Sequence, residues 1–429
     1  MAGVKTRMGL HVCLVCGEYP PDTVGGGIGT YSAALARGLA KTGHRVSVIA
    51  RAVRGRETVH REDGIVVHRV LPLRTPGLRQ VFRRFGGKTF ADAYLFARAV
   101  AAKVANVTAG DGVQIVESPE HGAEGFMLAK RCAHVPHVVR FHTPLFLVNE
   151  AIGRKLSVGG RIVDVMERTT ARRAVLTTSP SRDLAEIVAS RFDIPLARIR
   201  VVPNCIDHET FHPAAHPPSG EPTVLYAGKV APRKGIAVLA EAIPLIVRRV
   251  PQVRIVVVGS DHPTATGTGS SKQEMLERLT QAGVASRVTI LPPTDRAGLV
   301  RLYHGAHVFV QPSLWENFPY TSLEAMACGI PVVASAVGGL KEIIEDGKDG
   351  VLVPAHDAAR LADAVATLLE QPERLLEMRQ AARRKILTHY TIEQLVAETL
   401  AVYEEAIASF PTNGGDHTPS VAERRSSPR

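Results

Sequence analysis

Three scarcities narrow what this sequence can do. Aromatic residues make up only 5% of 429 residues, which leaves few platforms for stacking bases, and no zinc-finger spacing occurs. Nucleic acid is therefore not an expected partner, although the formal charge is +11. No run of 18 or more apolar residues exists, so a spanning helix is not expected. The opening stretch, MAGVKTRMGLHVCLVCGEYPP, lacks a long apolar segment and passes straight from a strand into a glycine loop. That pattern argues against a cleaved signal and for a cytoplasmic location. Cysteine is scarce too: five, an odd number, are scattered along the chain and describe no disulfide framework. Cys13 and Cys16 form a CxxC inside an apolar strand, where buried packing is expected instead of redox or metal chemistry.

What is present is ordinary for a soluble globular protein, with 45% hydrophobic and 22% charged residues. The length calls for two domains. Residues 11–16, 45–50, 65–70, 113–118, 137–142, 174–179 and 199–204 read as short apolar strands. They are separated by helical segments such as 29–43, where Leu35 and Leu39 share a face. Such alternation predicts a parallel sheet covered on both sides. The stretch 206–220, rich in proline, histidine and glycine, interrupts it and marks a linker between a domain at 10–205 and one at 221–388. The alternation restarts with strands at 223–228, 253–259, 287–292, 307–313 and 331–335 and helices at 235–248, 272–282, 295–304 and 321–328. Residues 389–408 read as a last helix. The tail from 409 onward is polar and cannot form a core. Two such α/β domains facing each other make a cleft, with ligands beyond the carboxyl ends of the strands.

The most specific segment is PSLWENFPYTSLEAMACGIPVVAS at 312–335. Glu316 falls just past a strand and Glu324 inside a helix that starts near Tyr320, so two carboxylates can grip two separate hydroxyl sites. Between them, the N–H groups of Thr321, Ser322 and Leu323 at the helix start suit phosphate oxygens. AGKVAPRKG at 227–235 gathers Lys229, Arg233 and Lys234 where the sheet opens, a set suited to a diphosphate and to charge on a departing one. No DxD pair occurs, so the protein itself, and no metal ion, is expected to supply the positive charge. The loop PPDTVGGGIG at 20–29 offers Gly25, Gly26, Gly27 and Gly29 for close backbone approach. Its spacing does not fit GxGxxG, which argues against a nicotinamide or flavin enzyme. His142, ending a strand in RFHTPL, is placed to steer a sugar or acceptor hydroxyl; His121, in SPEHGAEG, is the alternative.

With these segments, and with SPSRDLAEI, VVPNCIDHETF and VGGLKEIIEDGKDGVLVP, the chain closely resembles the retaining glycosyltransferases of family 4 across roughly residues 10–408. The resemblance implies the GT-B architecture, two facing Rossmann-like domains around a central cleft. It implies that Glu316 contacts the transferred hexose, Glu324 binds the ribose, and Lys229 with Lys234 holds the diphosphate. It places Gly26, Gly27 and His142 near the reacting phosphate and sugar, and sends the last helix back onto the first domain. Lys229 stands where arginine is usual and loses the fork geometry. Asn204–Cys205 stands where an asparagine–glycine step is frequent.

The expected partner is a nucleotide-diphosphate sugar as donor substrate, a UDP-sugar in preference to a GDP- or ADP-sugar, with no separate cofactor. The expected acceptor is a soluble glycoside or sugar. A lipid-linked acceptor on an anionic membrane is the alternative, suggested by Arg79, Arg83, Arg84 and Lys88 beside Phe82, Phe85 and Phe90. A non-hydrolysing sugar-nucleotide epimerase, a phosphorylase or a nucleotide-binding interaction module shares the two-domain plan. Oligomeric state is not legible.

Overall fold

The architecture comes from a computed structural model that describes residues 9–411 except 22–25, 54, 74–75, 152, 265–266 and 268. The side chains of 76, 78–79, 82–83 and 85–86 are not described either. Residues 1–8, Gly25, the side chains of Arg79, Phe82, Arg83 and Phe85, and the tail from 412 therefore lie outside the described residues. Of the remaining basic stretch, Arg84 and Lys88 are exposed, whereas the Phe90 ring packs on Tyr94.

In chain order the first half forms β1 (His11–Val15), α1 (Gly27–Lys41), β2 (Arg45–Arg51), β3 (Thr58–Glu62), β4 (Ile65–Val70), α2 (Pro76–Asp111) and β5 (Ile115–Pro119). Then follow α3 (Leu128–Arg131), β6 (His137–Arg140), α4 (Leu145–Glu150), α5 (Val158–Arg173), β7 (Leu176–Ser179), α6 (Arg182–Phe192) and β8 (Ile199–Val201). The sheet order is β3-β4-β2-β1-β5-β6-β7-β8. Every pairing is parallel except β3 with β4, a hairpin edge. All five residues of β3 are exposed, so it carries no apolar alternation and sequence reading passes over it.

The second half forms β9 (Thr223–Ala227), α7 (Ile236–Arg249), β10 (Arg254–Val258), α8 (Ser271–Gln281), β11 (Val288–Leu291), α9 (Arg296–His304), β12 (Val308–Gln311) and α10 (Tyr320–Ala327). It closes with β13 (Val332–Ser335), α11 (Leu340–Ile343), β14 (Gly350–Val353), α12 (Ala358–Glu370), α13 (Pro372–His389) and α14 (Ile392–Ser409). This sheet is fully parallel, ordered β11-β10-β9-β12-β13-β14. The expected pair of doubly wound α/β domains is thus present, and the strands read from apolar runs are all found.

Each sheet is buried on both faces, which is why its strands are apolar runs. Leu14 and Val48 pack with Leu35 and Leu39 of α1 on one side of the first sheet. Val15 and Ile49 pack with Phe96 and Val100 of α2 on the other. The five cysteines are buried and free, and burial pushes the Cys13 and Cys16 thiols up to about 12, as inert strand packing requires.

The last helix starts at Ile392 and not at 389. Thr391 closes a reciprocal capping box with Gln394, and His389 still belongs to α13. Leu395, Val402 and Tyr403 of α14 join the core of the first domain, so the chain's end returns to its beginning. Burying each such side chain contributes about 1.5–3 kcal/mol before entropy is counted. The Tyr403 hydroxyl donates to Glu117 Oε2 at 3.0 Å, and Glu117 is 4% exposed at the middle of the sheet. Burial raises the Glu117 carboxyl, and Arg140 and Tyr403 oppose that rise. Tyr403→Phe leaves the carboxylate one donor short. The expected loss is about 1–3 kcal/mol of stability, read as a lower urea midpoint with an unchanged m-value.

Candidate active site

Two glycines fix the backbone at the carboxyl edge of the second sheet. Gly235, at φ 71°, lies so close to the loop after β12 that a Cβ there would sit 1.7 Å from the Pro312 carbonyl oxygen. Gly338, at φ 49°, would place one 1.8 Å from the Glu316 carbonyl oxygen. Neither position admits a side chain, so the basic loop at 228–235 and the turn at 336–339 press directly on the segment that carries Glu316.

Glu316 is 5% exposed and saturated with donors. Its Oε1 accepts from Ser313 Oγ at 2.7 Å, from Gln311 Nε2 at 3.1 Å, and from the Lys234 ammonium. Its Oε2 faces Arg233 Nη1 at 3.7 Å. Burial pushes this carboxyl up, but Lys234 and Arg233 outweigh it and hold Glu316 below the usual carboxylate value. Burial lowers the Lys234 ammonium in turn, against the pull of Glu316. Arg233 also donates to the Trp315 carbonyl at 2.9 Å. The basic loop and the first glutamate therefore form one cluster, where the sequence suggested separate grips on phosphate and sugar. Lys229 is exposed beside them, and its carbonyl accepts the Tyr226 hydroxyl at 2.7 Å.

Thr321 joins the cluster through Gln311, donating to its Oε1 at 3.0 Å. Ser322 and Leu323 are buried at the start of α10, where first-turn N–H groups have no intrahelical acceptor. Leu323 N–H reaches the Pro319 carbonyl only at 3.4 Å. Across the cleft, Gly27 faces the Tyr320 ring, which would lie 3.8 Å from a Cβ on it, and Gly26 lies over the Glu18 carboxylate. The starts of α1 and α10 thus converge, and neither holds an acidic residue in its first turn. Two helix N-termini add partial positive charge to the same space.

Glu324 is set apart. Its Oε2 accepts the Tyr303 hydroxyl at 2.9 Å, and it lines a cavity of about 190 Å³ with Thr30, Arg37, Asp207 and Arg296. Burial pushes its carboxyl up to about 7. Asp207 and Arg296 pair at 3.4 Å along that wall.

His142 ends β6 early, because both oxygens of Glu120 accept its N–H, at 2.9 and 2.8 Å, and the strand stops at Arg140. Its ring meets Tyr31 edge-on at 5.2 Å. Burial, with Arg140 and His121 nearby, holds it well below the usual histidine range, so at neutral pH it is an uncharged hydrogen-bonding group. His121 is engaged with the Thr143 carbonyl at 3.2 Å. Sequence reading missed Glu120 and Glu167, both 0% exposed. Glu167 accepts the N–H groups of Gly122 and Leu145, each at 2.9 Å. The carboxylates hold the two loops around His142, and the only available signal was an acid directly after a strand in SPEH.

The lobes meet through polar bonds next to these groups. Asn317 Nδ2 donates to the His142 carbonyl, and its Oδ1 accepts from Ser181 at 3.1 Å. Glu342 accepts the N–H groups of Arg182 and Asp183, at 3.0 and 3.1 Å, at the start of α6. Asn204 accepts from the fully buried Arg140 at 2.9 Å and donates to the Phe318 carbonyl at 3.1 Å. Cys205 after it takes no positive φ, so this turn does not need glycine. Among the described residues no group of three His, Cys, Asp or Glu side chains is placed to hold a metal ion. No described helix is long and apolar enough to cross a membrane.

The raised carboxyl of Glu324 has a pH signature. Its folded value near 7 exceeds the unfolded one of 4.5, so ionising it in place costs stability as pH rises between those values. Glu324→Gln keeps the acceptor for Tyr303 and removes that cost. Its gain over wild type should be near zero at pH 4.5 and reach about 3 kcal/mol by pH 8, measured by urea unfolding across that range.

The model of the family described as "Glycosyltransferase Family 4" matches residues 25–210, and that described as "Glycosyl transferases group 1" matches 207–385. The chain is 30% identical over 415 residues to a D-inositol 3-phosphate glycosyltransferase of Xylanimonas cellulosilytica, covering 92% of this chain and 95% of that protein. Among solved structures, sucrose-phosphate synthase from Thermosynechococcus elongatus superposes with a TM-score of 0.74 at 22% identity, covering 93% and 99% of the two chains. The HepE protein of Anabaena, solved with UDP-glucose, gives 0.66 at 19% identity, covering 92% and 100%. The structural likenesses establish the fold, two facing Rossmann-like domains of the GT-B kind.

Proposed function

Because this chain belongs to the family 4 glycosyltransferases, we propose that it moves a hexosyl-type group from a nucleotide-diphosphate sugar to an acceptor hydroxyl, with retention and without a metal. A UDP-sugar is the favoured donor, and a soluble glycoside or sugar the favoured acceptor. One observation carries the reading: an ionised, nearly buried Glu316 held by Lys234 and Arg233, with Lys229 exposed beside them, at the strand ends that face Gly27 and His142.

The cluster divides the work. Cations clustered in a water-poor cleft stabilise the diphosphate and, more strongly, the charge it gains as the anomeric carbon–oxygen bond breaks. The starts of α1 and α10 add N–H groups to the same oxygens. An incoming donor competes for Lys234, which frees Glu316 to accept hydrogen bonds from sugar hydroxyls. Glu324, eight residues on and turned toward its own cavity, suits the ribose. Neutral His142 orients a hydroxyl as a hydrogen-bonding partner. Retention follows when the acceptor attacks the face from which the diphosphate leaves, with that phosphate taking the acceptor's proton and no enzyme nucleophile needed. Glu316 is accordingly a positioning group for the donor and forms no covalent intermediate.

The relatives' name makes a phosphorylated polyol one acceptor worth including in a panel. UDP-, GDP- and ADP-sugars, followed by nucleotide release and product mass, identify the donor. With that donor, Glu316→Gln is expected to lower kcat by about 100-fold, the size of a lost preorganised electrostatic contact. Glu324→Gln is expected to weaken nucleotide binding only about tenfold, as one lost hydrogen bond to a charged group does. Transfer near the wild-type rate in Glu316→Gln defeats the role given to that residue.

A further inference from the structure

A second basic site lies on the first lobe. Around a cavity of about 630 Å³ between α4, α5 and α6 stand Arg154, Lys155, Arg161, Arg168 and Arg191. Among the described residues none of the five is within 4 Å of a carboxylate oxygen. Some arginines elsewhere in the chain do find acids. Arg172 pairs with Asp193, Arg200 with Glu405, Arg249 with Asp363 and Glu370, and Arg278 with Glu241 and Glu274. Five like charges around one hollow repel one another, and the two acids present, Glu150 and Asp164, do not neutralise them. Asp164 keeps one buried oxygen without a hydrogen-bond partner. Burial raises its carboxyl, with Arg191 and Arg168 opposing.

The hollow is organised and adjoins the cleft. Arg191 stacks over the Phe146 ring at 5.0 Å, which orients one guanidinium before any ligand arrives. Arg161 and Arg168 share one face of α5, roughly 10 Å apart along its axis. Arg154 reaches toward the other lobe: its Nη2 lies 3.0 Å from where a Cβ on Gly267 would be. Phe146, a lining residue, belongs to the apolar cluster against which Leu156 and Trp315 both pack, and Trp315 precedes Glu316. The site therefore begins beside the cleft and runs outward along the first lobe, the lobe whose His142 orients a hydroxyl in the reading above.

We infer that this groove binds the anionic part of an extended acceptor carrying two or more phosphate or carboxylate groups. The inference rests on the glycosyltransferase reading for the word acceptor, but not for the binding itself. Guanidinium forks take either anion bidentately, and four arginines and a lysine spread over α5, the segment before it and α6 fit several charges in a row better than one. Lone anions bind such a surface weakly, whereas a chain of them gains from every pair.

The test uses the full chain saturated with UDP, so that the diphosphate site is filled, and linear tripolyphosphate or tricarballylate as probes. Binding is followed by calorimetry and by the emission of Trp315, the only tryptophan. The expected result is one probe bound per chain at low salt, with the stronger probe naming the anion. Arg161→Gln with Arg168→Gln should weaken it at least tenfold while UDP affinity stays at the wild-type value, which also shows that the variant is folded. Lys229→Ala should do the reverse, weakening UDP and sparing the probe. Equal probe binding in wild type and double variant, or none in either, overturns the groove as a site. Loss of UDP binding in wild type instead sinks the donor reading and leaves the groove standing. Vesicles of phosphatidylglycerol that bind through Arg161 and Arg168, with no response to either soluble probe, also overturn the proposal, in favour of a membrane surface.

Discussion

The rest of the site depends on keeping one carboxylate ionised where there is little water. Glu316 is nearly buried, and desolvation alone would protonate it. Lys234 and Arg233 prevent that, and they do so only because Gly235 lets their loop lie against Pro312. The same contact ties the electrostatics of the basic loop to the position of Glu316, so neither can be moved without the other. A pair buried in this way is weak evidence for stability, since desolvation takes back much of the attraction. What the pair does is concentrate charge of both signs at one point of the cleft.

The facing lobe orders its loops with carboxylates that bind backbone and, among the described residues, form no ion pair. Glu120 and Glu167 are wholly buried and accept backbone N–H groups, two carboxylates that tie the loops at 120–122 and 142–145 together. Burial raises Glu120 to about 7 and Glu167 well above its ordinary value, with Glu120's own charge adding to the rise at Glu167. Burial thus weakens the charge of these two carboxyls, and His142, with Arg140 nearby, is held well below the usual histidine range. The two walls thus differ: one gathers cations around an ionised Glu316, and the other ties its loops with buried carboxylates.

Much of this was legible in the sequence, and the limits are instructive. Buried parallel strands are apolar runs of four to seven residues, and those runs located nearly every strand. The exposed β3 and the α14 start at Ile392 were not seen, because one has no apolar pattern and the other depends on a cap at Thr391, two residues past the preceding helix end. The segment around Glu316 and Glu324 was readable because a strand, a tight loop and a helix start leave few alternatives. That Lys234 bonds to Glu316 was not readable, since the two lie 82 residues apart and only the fold brings their loops together. Glu120, Asn317 and Asn204 escaped for a related reason. Each acts on a backbone group of a distant loop, and a backbone partner leaves no mark in composition or spacing.

Those backbone-directed bonds also explain how two lobes can be joined firmly yet separably. Asn317, Glu342 and Asn204 each bridge the lobes through hydrogen bonds to main-chain or side-chain groups, beside the apolar contacts that Trp315, Tyr320 and α14 make with the first lobe. Polar contacts of this kind exchange readily for water, so opening costs far less than unfolding either sheet. Asn317 is the telling case. It follows Glu316 directly, and its amide spans from the His142 carbonyl to Ser181. The short loop that carries Glu316 is thus also one that bonds the second lobe to the first, and α14 adds an apolar contact, packed on the first lobe through Tyr403 and Leu395.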